Sequence, residues 1–211
     1  MKKIIIMLLL LIFFISPVFS TPAIETPLSD TNTKPFEAEI SFDWISKTQI
    51  QRDENIKQIQ NILFKDDTIF KYKKKEFKNK YAQFWKNKNY LKDYEDISNG
   101  KKEDSEKNYC GFYVGKLLVA YGIQFKNNLE NIYYYDAMGN LRWVDIFSSA
   151  YPKFPYWSYQ YYRNGEMIAA YYYISEYDQY VFDPDKKFRG RWYKDKLYNR
   201  KAKVVMTRSN W

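Results

Sequence analysis

The side chains able to do chemistry are unevenly supplied in this sequence. The 211-residue chain has no histidine and a single cysteine, Cys110. Histidine is the usual proton acceptor near neutral pH, so its absence excludes Ser-His-Asp and Cys-His nucleophilic arrangements and zinc sites of the usual kind. Carboxylates remain. Asp136, Asp145, Glu166, Asp178, Asp183 and Asp185 fall in the C-terminal half, and carboxylate pairs are the apparatus of glycoside hydrolysis. Several occupy turn positions, where aspartate serves its own backbone, and no pair stands out by spacing. No metal site or cofactor is expected. The primary reading is a non-catalytic binding or structural module. A carboxylate-dependent hydrolase of envelope polysaccharide is one alternative.

A second set of residues suits binding rather than catalysis. The chain has 22 Tyr, 15 Phe and 6 Trp, one fifth of its length. Trp143, Trp157, Tyr171 and Trp192, with Tyr156 and Tyr173 nearby, lie in the same stretch as Arg189 and Arg191. Rings beside guanidinium groups on one face of a sheet would stack on sugars or meet an anionic polymer. The net charge is +9. Such an excess favours anionic partners, although Lys, Asn, Ile, Tyr and Phe also share AT-rich codons. The Lys71 to Lys80 cluster lies beside Phe77, Tyr81, Phe84 and Trp85, a combination found in nucleic-acid binders. It equally suits a solvated helix face, or an interaction subunit that docks through basic helices.

The N-terminus bears on that choice. Lys2 and Lys3 precede twelve apolar residues, Ile4 to Ile15, broken by Ser16 and Pro17. Val18-Phe19-Ser20 then offers compact residues for cleavage between Ser20 and Thr21. This is the pattern of a secretory signal peptide. Twelve helical residues rise only about 18 Å, against the roughly 20 residues needed to span a bilayer, so no stable membrane span is expected after cleavage. An uncleaved anchor is the alternative. The expected location is secreted, periplasmic or cell-envelope, which argues against nucleic acid and for an envelope glycan or other anionic polymer as partner. Cys110 has no intrachain partner for a disulfide. Its apolar neighbours suggest burial, the alternative being an intermolecular link.

Residues 21–45, rich in Thr, Pro, Ser and Asp, form a flexible leader, with a short extended piece from Phe36 to Ile45. Residues 46–92 form a helical segment. Ser46 and Gln49 fit a capping box, and Ile56, Ile59, Ile62 and Leu63 recur at helical spacing over 47–64. Phe77, Tyr81, Phe84 and Trp85 mark one face of a second helix over 73–92. Residues 93–108 read as a polar linker containing Asn99-Gly100. From Tyr109 to Phe125 the chain turns apolar with Gly111, Gly115 and Gly122. Strands with tight turns are expected there, and a short helix from Gly115 to Tyr121 is the competing reading. Ala150 to Tyr156, with Pro152 and Pro155, reads as a rigid connector or a polyproline ligand.

Residues 109–211 form the β domain, and its second part carries an imperfect repeat. Tyr135, Tyr161 and Phe182 each sit four residues before a turn position, at Gly139, Gly165 and Lys186. Leu141, Met167 and Phe188 each follow that position by two. Asn164-Gly165 suits a type I′ hairpin turn. A further turn is expected at Lys194-Asp195-Lys196, returning the chain into Val204-Val205-Met206. Tyr133 to Leu141 resembles the YD-repeat pattern of exported Rhs-type proteins, and Tyr161 to Met167 resembles the hairpins of MORN-like proteins. In the second and third units Tyr162 and Lys186 replace the expected Asp and Gly. The resemblance implies exported β-hairpin architecture and assigns no catalytic residue. The expected fold is α+β: a short N-terminal helical hairpin followed by a Tyr-rich antiparallel meander of about six to eight strands.

Overall fold

A computed structural model describes residues 42–65 and 74–207. The signal segment, the Ser20–Thr21 junction and most of the leader lie outside these residues. The fold is α+β. Helices α1 (Gln49–Leu63), α2 (Lys74–Tyr81) and α3 (Tyr90–Ser98) precede ten strands: β1 (Lys107–Val114), β2 (Leu117–Phe125), β3 (Asn128–Asp136), β4 (Leu141–Phe147), β5 (Tyr156–Tyr162), β6 (Met167–Ser175), β7 (Asp178–Phe182), β8 (Phe188–Tyr193), β9 (Lys196–Tyr198) and β10 (Val204–Thr207). Each strand pairs antiparallel with its sequence neighbours, in the order β1 to β10. The ten strands exceed the expected six to eight because Gly115, at φ 62°, turns the chain between two full strands rather than starting a helix. Two more short strands follow Tyr193.

The repeat is a row of equivalent hairpin turns. Gly139 N–H donates to Asp136 O, Gly165 to Tyr162, Lys186 to Asp183 and Ala202 to Asn199. In each, the first residue also donates to the fifth, and the fourth has positive φ: 75°, 84°, 63° and 57° along the row. Only Gly165 of the Asn164-Gly165 pair takes positive φ. The turn is therefore a type I turn closed by one left-handed residue, with register shifts beside it in the ladders, as for a three-residue hairpin loop with a bulge, rather than type I′. The Asn199–Ala202 turn extends the sequence frame to a fourth unit, with Tyr198 four residues before the turn position and Val204 two after. Lys194 makes a separate turn between β8 and β9.

The helices form a strap across one face of the sheet, crossing the row in reverse chain order. Trp44 Nε1 donates to Asn199 O (3.0 Å) and Arg52 Nε to Arg200 O (3.0 Å) at the fourth turn. Gln60 Nε2 donates to Lys186 O (2.7 Å) at the third. Phe77 packs on Gly165 at the second, and Tyr90 on Gly139 at the first. The repeat aromatics Tyr135, Tyr161, Phe182 and Tyr198 are buried beneath the strap with Trp44, Leu63, Phe77, Tyr81 and Ile97. Burying each large strap side chain contributes about 2 kcal/mol. α1 is capped by Thr48 and Gln51 rather than Ser46 and Gln49, because Ser46 hydroxyl donates to Asp43 O in the preceding turn (2.9 Å). The expected 73–92 helix is interrupted. Asn87 N–H donates to Gly139 O and Trp85 O accepts from Leu141 N–H, so the backbone at 85–87 bonds to the β3–β4 hairpin. The helix resumes at Tyr90 as α3 and runs on to Ser98, into the expected linker.

On the other face, a second cluster unites Phe112, Ile132, Tyr134, Trp143, Phe147, Tyr156, Tyr171, Tyr173, Val181 and Trp192. Tyr156 stacks on its register partner Tyr173 at 4.6 Å, and Tyr134 on Trp143 at 5.2 Å. The connector before β5 closes over this face, with Tyr151 4.4 Å from Phe147.

A Cβ at Gly139 would lie 2.3 Å from Tyr90 Cβ, which adds overpacking to left-handed strain. Gly139→Ala is expected to cost about 3 kcal/mol in urea unfolding. Lys186→Gly, which relieves strain at a non-glycine left-handed position, is expected to be neutral or stabilising by up to about 1 kcal/mol.

Candidate functional site

The predicted aromatic-basic platform does not form as one exposed surface. Trp143, Tyr171 and Trp192 are buried in the second cluster, with Tyr156 and Tyr173. Trp157 lies on the opposite face, half-buried against the strap core. Arg191 is 3 % exposed on the strap face. Its Nε donates to Asp178 Oδ1 at 2.7 Å and its Nη2 to Asp178 Oδ2, while Asp43 Oδ1 lies 3.4 Å from Nη1. The rings of Phe42, Trp44 and Tyr180 surround the guanidinium at 5.1, 5.2 and 4.9 Å. Arg191 thus anchors the start of the strap. Of the six, Arg189 alone is exposed, and it pairs with Asp183 at 2.6 Å. The physical reason is strand alternation: rings two residues apart share a face, and this sheet buries both faces.

The carboxylates considered for catalysis are mostly engaged in the scaffold. Asp136 and Asp183 accept backbone N–H groups within their own turns. Glu166 pairs with Lys74 at 2.6 Å, Asp178 with Arg191, and Asp185 with Lys187 at 3.7 Å. A pair the sequence did not reveal meets at the junction of α3 and β1. The Tyr109 hydroxyl lies 2.6 Å from Asp104 Oδ2 and 3.1 Å from Asp93 Oδ1. Asp93 also accepts from Asn87 Nδ2 (2.8 Å) and Lys107 Nζ (3.1 Å). Burial works to raise the Asp104 carboxyl, but Tyr109 and the N–H groups of Glu106 and Lys107 outweigh it and hold it at about 2. Asp104 is ionised at neutral pH and offers no proton to a leaving group. The cluster locks α3 to β1.

Asp145 is different. It is 1 % exposed on the second face, faces Gln160 in register, and accepts from the Tyr134 hydroxyl at 3.0 Å. Burial pushes its carboxyl from 3.8 to about 7, against the opposing hydrogen bonds from Gln160 and Tyr134. Cys110 lies on the same face against Gly122. Burial raises its thiol far above the ordinary range, so it is not a reactive thiolate.

The surface that remains open is basic and follows the strap. Phe77 and Tyr81 pin α2 to the sheet, with Phe77 5.2 Å from Tyr161 and the Tyr81 hydroxyl donating to Asn131 Oδ1 (3.0 Å). Lys75, Lys78 and Lys80 are exposed, as are Lys74 (paired with Glu166), Glu76 on the same helix, and Lys86, Lys88 and Lys92 farther along. This geometry concentrates positive charge along one end of the sheet and suits an extended or planar anionic surface. The lysine run was legible in the sequence, but its alignment with the turn row was not. Among the described residues no group of three or more metal-ligating side chains comes together, and no helix is long and apolar enough to cross a membrane. No family model, curated protein or solved structure matches this chain.

Two outcomes are expected. Asp178→Ala leaves Arg191 buried without its bidentate partner, and a loss of about 3–5 kcal/mol should appear in urea unfolding. For Asp145 the folded-state value lies above the unfolded one, so its contribution is full below pH 3.8 and is lost as pH rises to about 7. With no histidine in the chain, stability should fall by about 1.4 kcal/mol per pH unit at the steepest between pH 5 and 7, then level off. Asp145→Asn should flatten that slope in melts at pH 5, 6, 7 and 8.

Proposed function

We propose that the protein is an exported, non-catalytic binding module of the cell envelope that engages an anionic partner through its basic strap. The observation that carries this reading is the division of labour within α2. Two aromatic residues hold the helix on the sheet, while Lys75, Lys78 and Lys80 are exposed and Lys74, also exposed, pairs with Glu166. The signal-like N-terminus supports export, and with it an envelope polymer or lipid head group over nucleic acid. The likeness of residues 133–192 to exported hairpin repeats points the same way. Exposed lysines on a rigid helix bind without ordering a loop, which spares part of the entropic cost of association.

The reading is tested on a polyphosphate-substituted resin. The parent is expected to be retained at low salt and to elute as salt rises, since such contacts are screened. Lys74→Glu, Lys75→Glu, Lys78→Glu and Lys80→Glu combined should shift elution to markedly lower salt without changing the far-ultraviolet circular dichroism. Elution of this variant at the parent's salt concentration would show that the strap does not carry the binding.

A further inference from the structure

The end of the sheet beside α3 combines charge with exposed apolar side chains. Leu91 is 71 % exposed, Met138 67 %, Leu117 62 % and Trp85 38 %. They come from four separate places: the first turn of α3, the β3–β4 turn, the start of β2 and the break between α2 and α3. Short contacts bring these places together. Lys86 Nζ donates to Met138 O and lies 4.6 Å from the Tyr90 ring. Tyr90 packs on Gly139. The Tyr94 hydroxyl donates to Leu118 O at 3.0 Å, carrying α3 across the β1–β2 hairpin. Exposed Lys86, Lys88, Lys92, Lys116 and Arg142 belong to the same segments, and the Arg163 guanidinium lies 5.9 Å from the Trp85 ring. Of the acidic groups, Asp136 is committed to its own turn and lies 3.8 Å from Arg142, Asp93 and Asp96 pair with Lys107 and Lys101, and Glu95 of α3 is exposed.

We propose that this end is a docking surface for an anionic lipid membrane. The inference rests on the anion-binding reading above and names the partner. Charge complementarity selects an anionic surface, and the apolar residues select a lipid one. A soluble polyanion gives Leu91, Leu117 and Met138 nothing to enter. A membrane interface takes such side chains into its headgroup and acyl boundary, while lysines hold the anionic heads above. Tryptophan is favoured at that depth. The attachment is peripheral and is weakened by salt.

The test is sedimentation with vesicles of phosphatidylglycerol and phosphatidylcholine, against vesicles of phosphatidylcholine alone. The parent should partition to the anionic vesicles only. Leu91→Ser with Leu117→Ser should lower that partition about tenfold or more, whereas Leu129→Ser, at the opposite end of the strands, should leave it unchanged. The apolar run Ile4–Ile15 is common to all variants, so only differences between them are read. Brominated lipid should quench the parent's tryptophan fluorescence more than that of Trp85→Phe, which gives a readout independent of the double variant's folding. Equal partition of parent and folded double variant, or equal quenching of parent and Trp85→Phe, overturns the proposal. Retention on polyphosphate without binding to vesicles overturns the lipid assignment and leaves the anion-binding reading standing. Binding to neither overturns both.

Discussion

One residue with positive φ closes each of four hairpin turns, and the path of the helical strap depends on that row. At Gly139 the strap passes so close that a Cβ would strike Tyr90, and at Gly165 a Cβ would press on Phe77 at 3.0 Å. At the other two turns, Lys186 and Ala202 carry side chains in the same backbone region. There the strap also reaches backbone carbonyls through Gln60, Arg52 and Trp44. At the glycine turns close packing is joined by polar contacts, from Lys86 to Met138 O and from Lys74 to Glu166.

This arrangement accounts for the fate of the aromatic residues. A twisted antiparallel sheet with a covered face needs large side chains there, and the turn frame delivers one aromatic per hairpin to that face: Tyr135, Tyr161, Phe182 and Tyr198. The alternate positions supply Tyr134, Tyr171, Tyr173 and Trp192 to a second buried layer. Stacked and edge-on rings across strands each add modestly to area burial, and among the described residues most rings are spent on these two layers. Surface chemistry therefore falls to the strap and the turn tips, where charge and a few apolar side chains remain exposed.

Buried charge is handled in two contrasting ways. Arg191 is inside with a bidentate carboxylate and three rings, so its desolvation is offset by geometry. Asp145 is inside without a cation partner among the described residues. Tyr134, Cys110 and Tyr156, the titratable groups coupled to it, are neutral near pH 7. The first device fastens the strap at its beginning. The second leaves a buried carboxyl, pushed up to about 7 by desolvation, in the strand layer beneath Tyr134.

Sequence alone closes certain chemistries to this protein, because composition is a complete inventory: without histidine there is no imidazole base. It also determined three of the four turn positions and the aromatic frame around them, because hairpin turns are local and their φ requirements leave a residue signature. The first helix was legible from its isoleucine spacing for the same reason. The folded arrangement sets where helix gives way to bridge at Trp85–Asn87, since the competing hydrogen bonds come from residues 139 and 141, more than fifty positions away. Only it brought Asp93 to Asp104 through Tyr109, and only it turned Trp143, Tyr171, Arg191 and Trp192 inward. A strand's alternation says which residues share a face. Whether that face meets water depends on what the rest of the chain lays upon it, and that is a sum over distant contacts that no local pattern encodes.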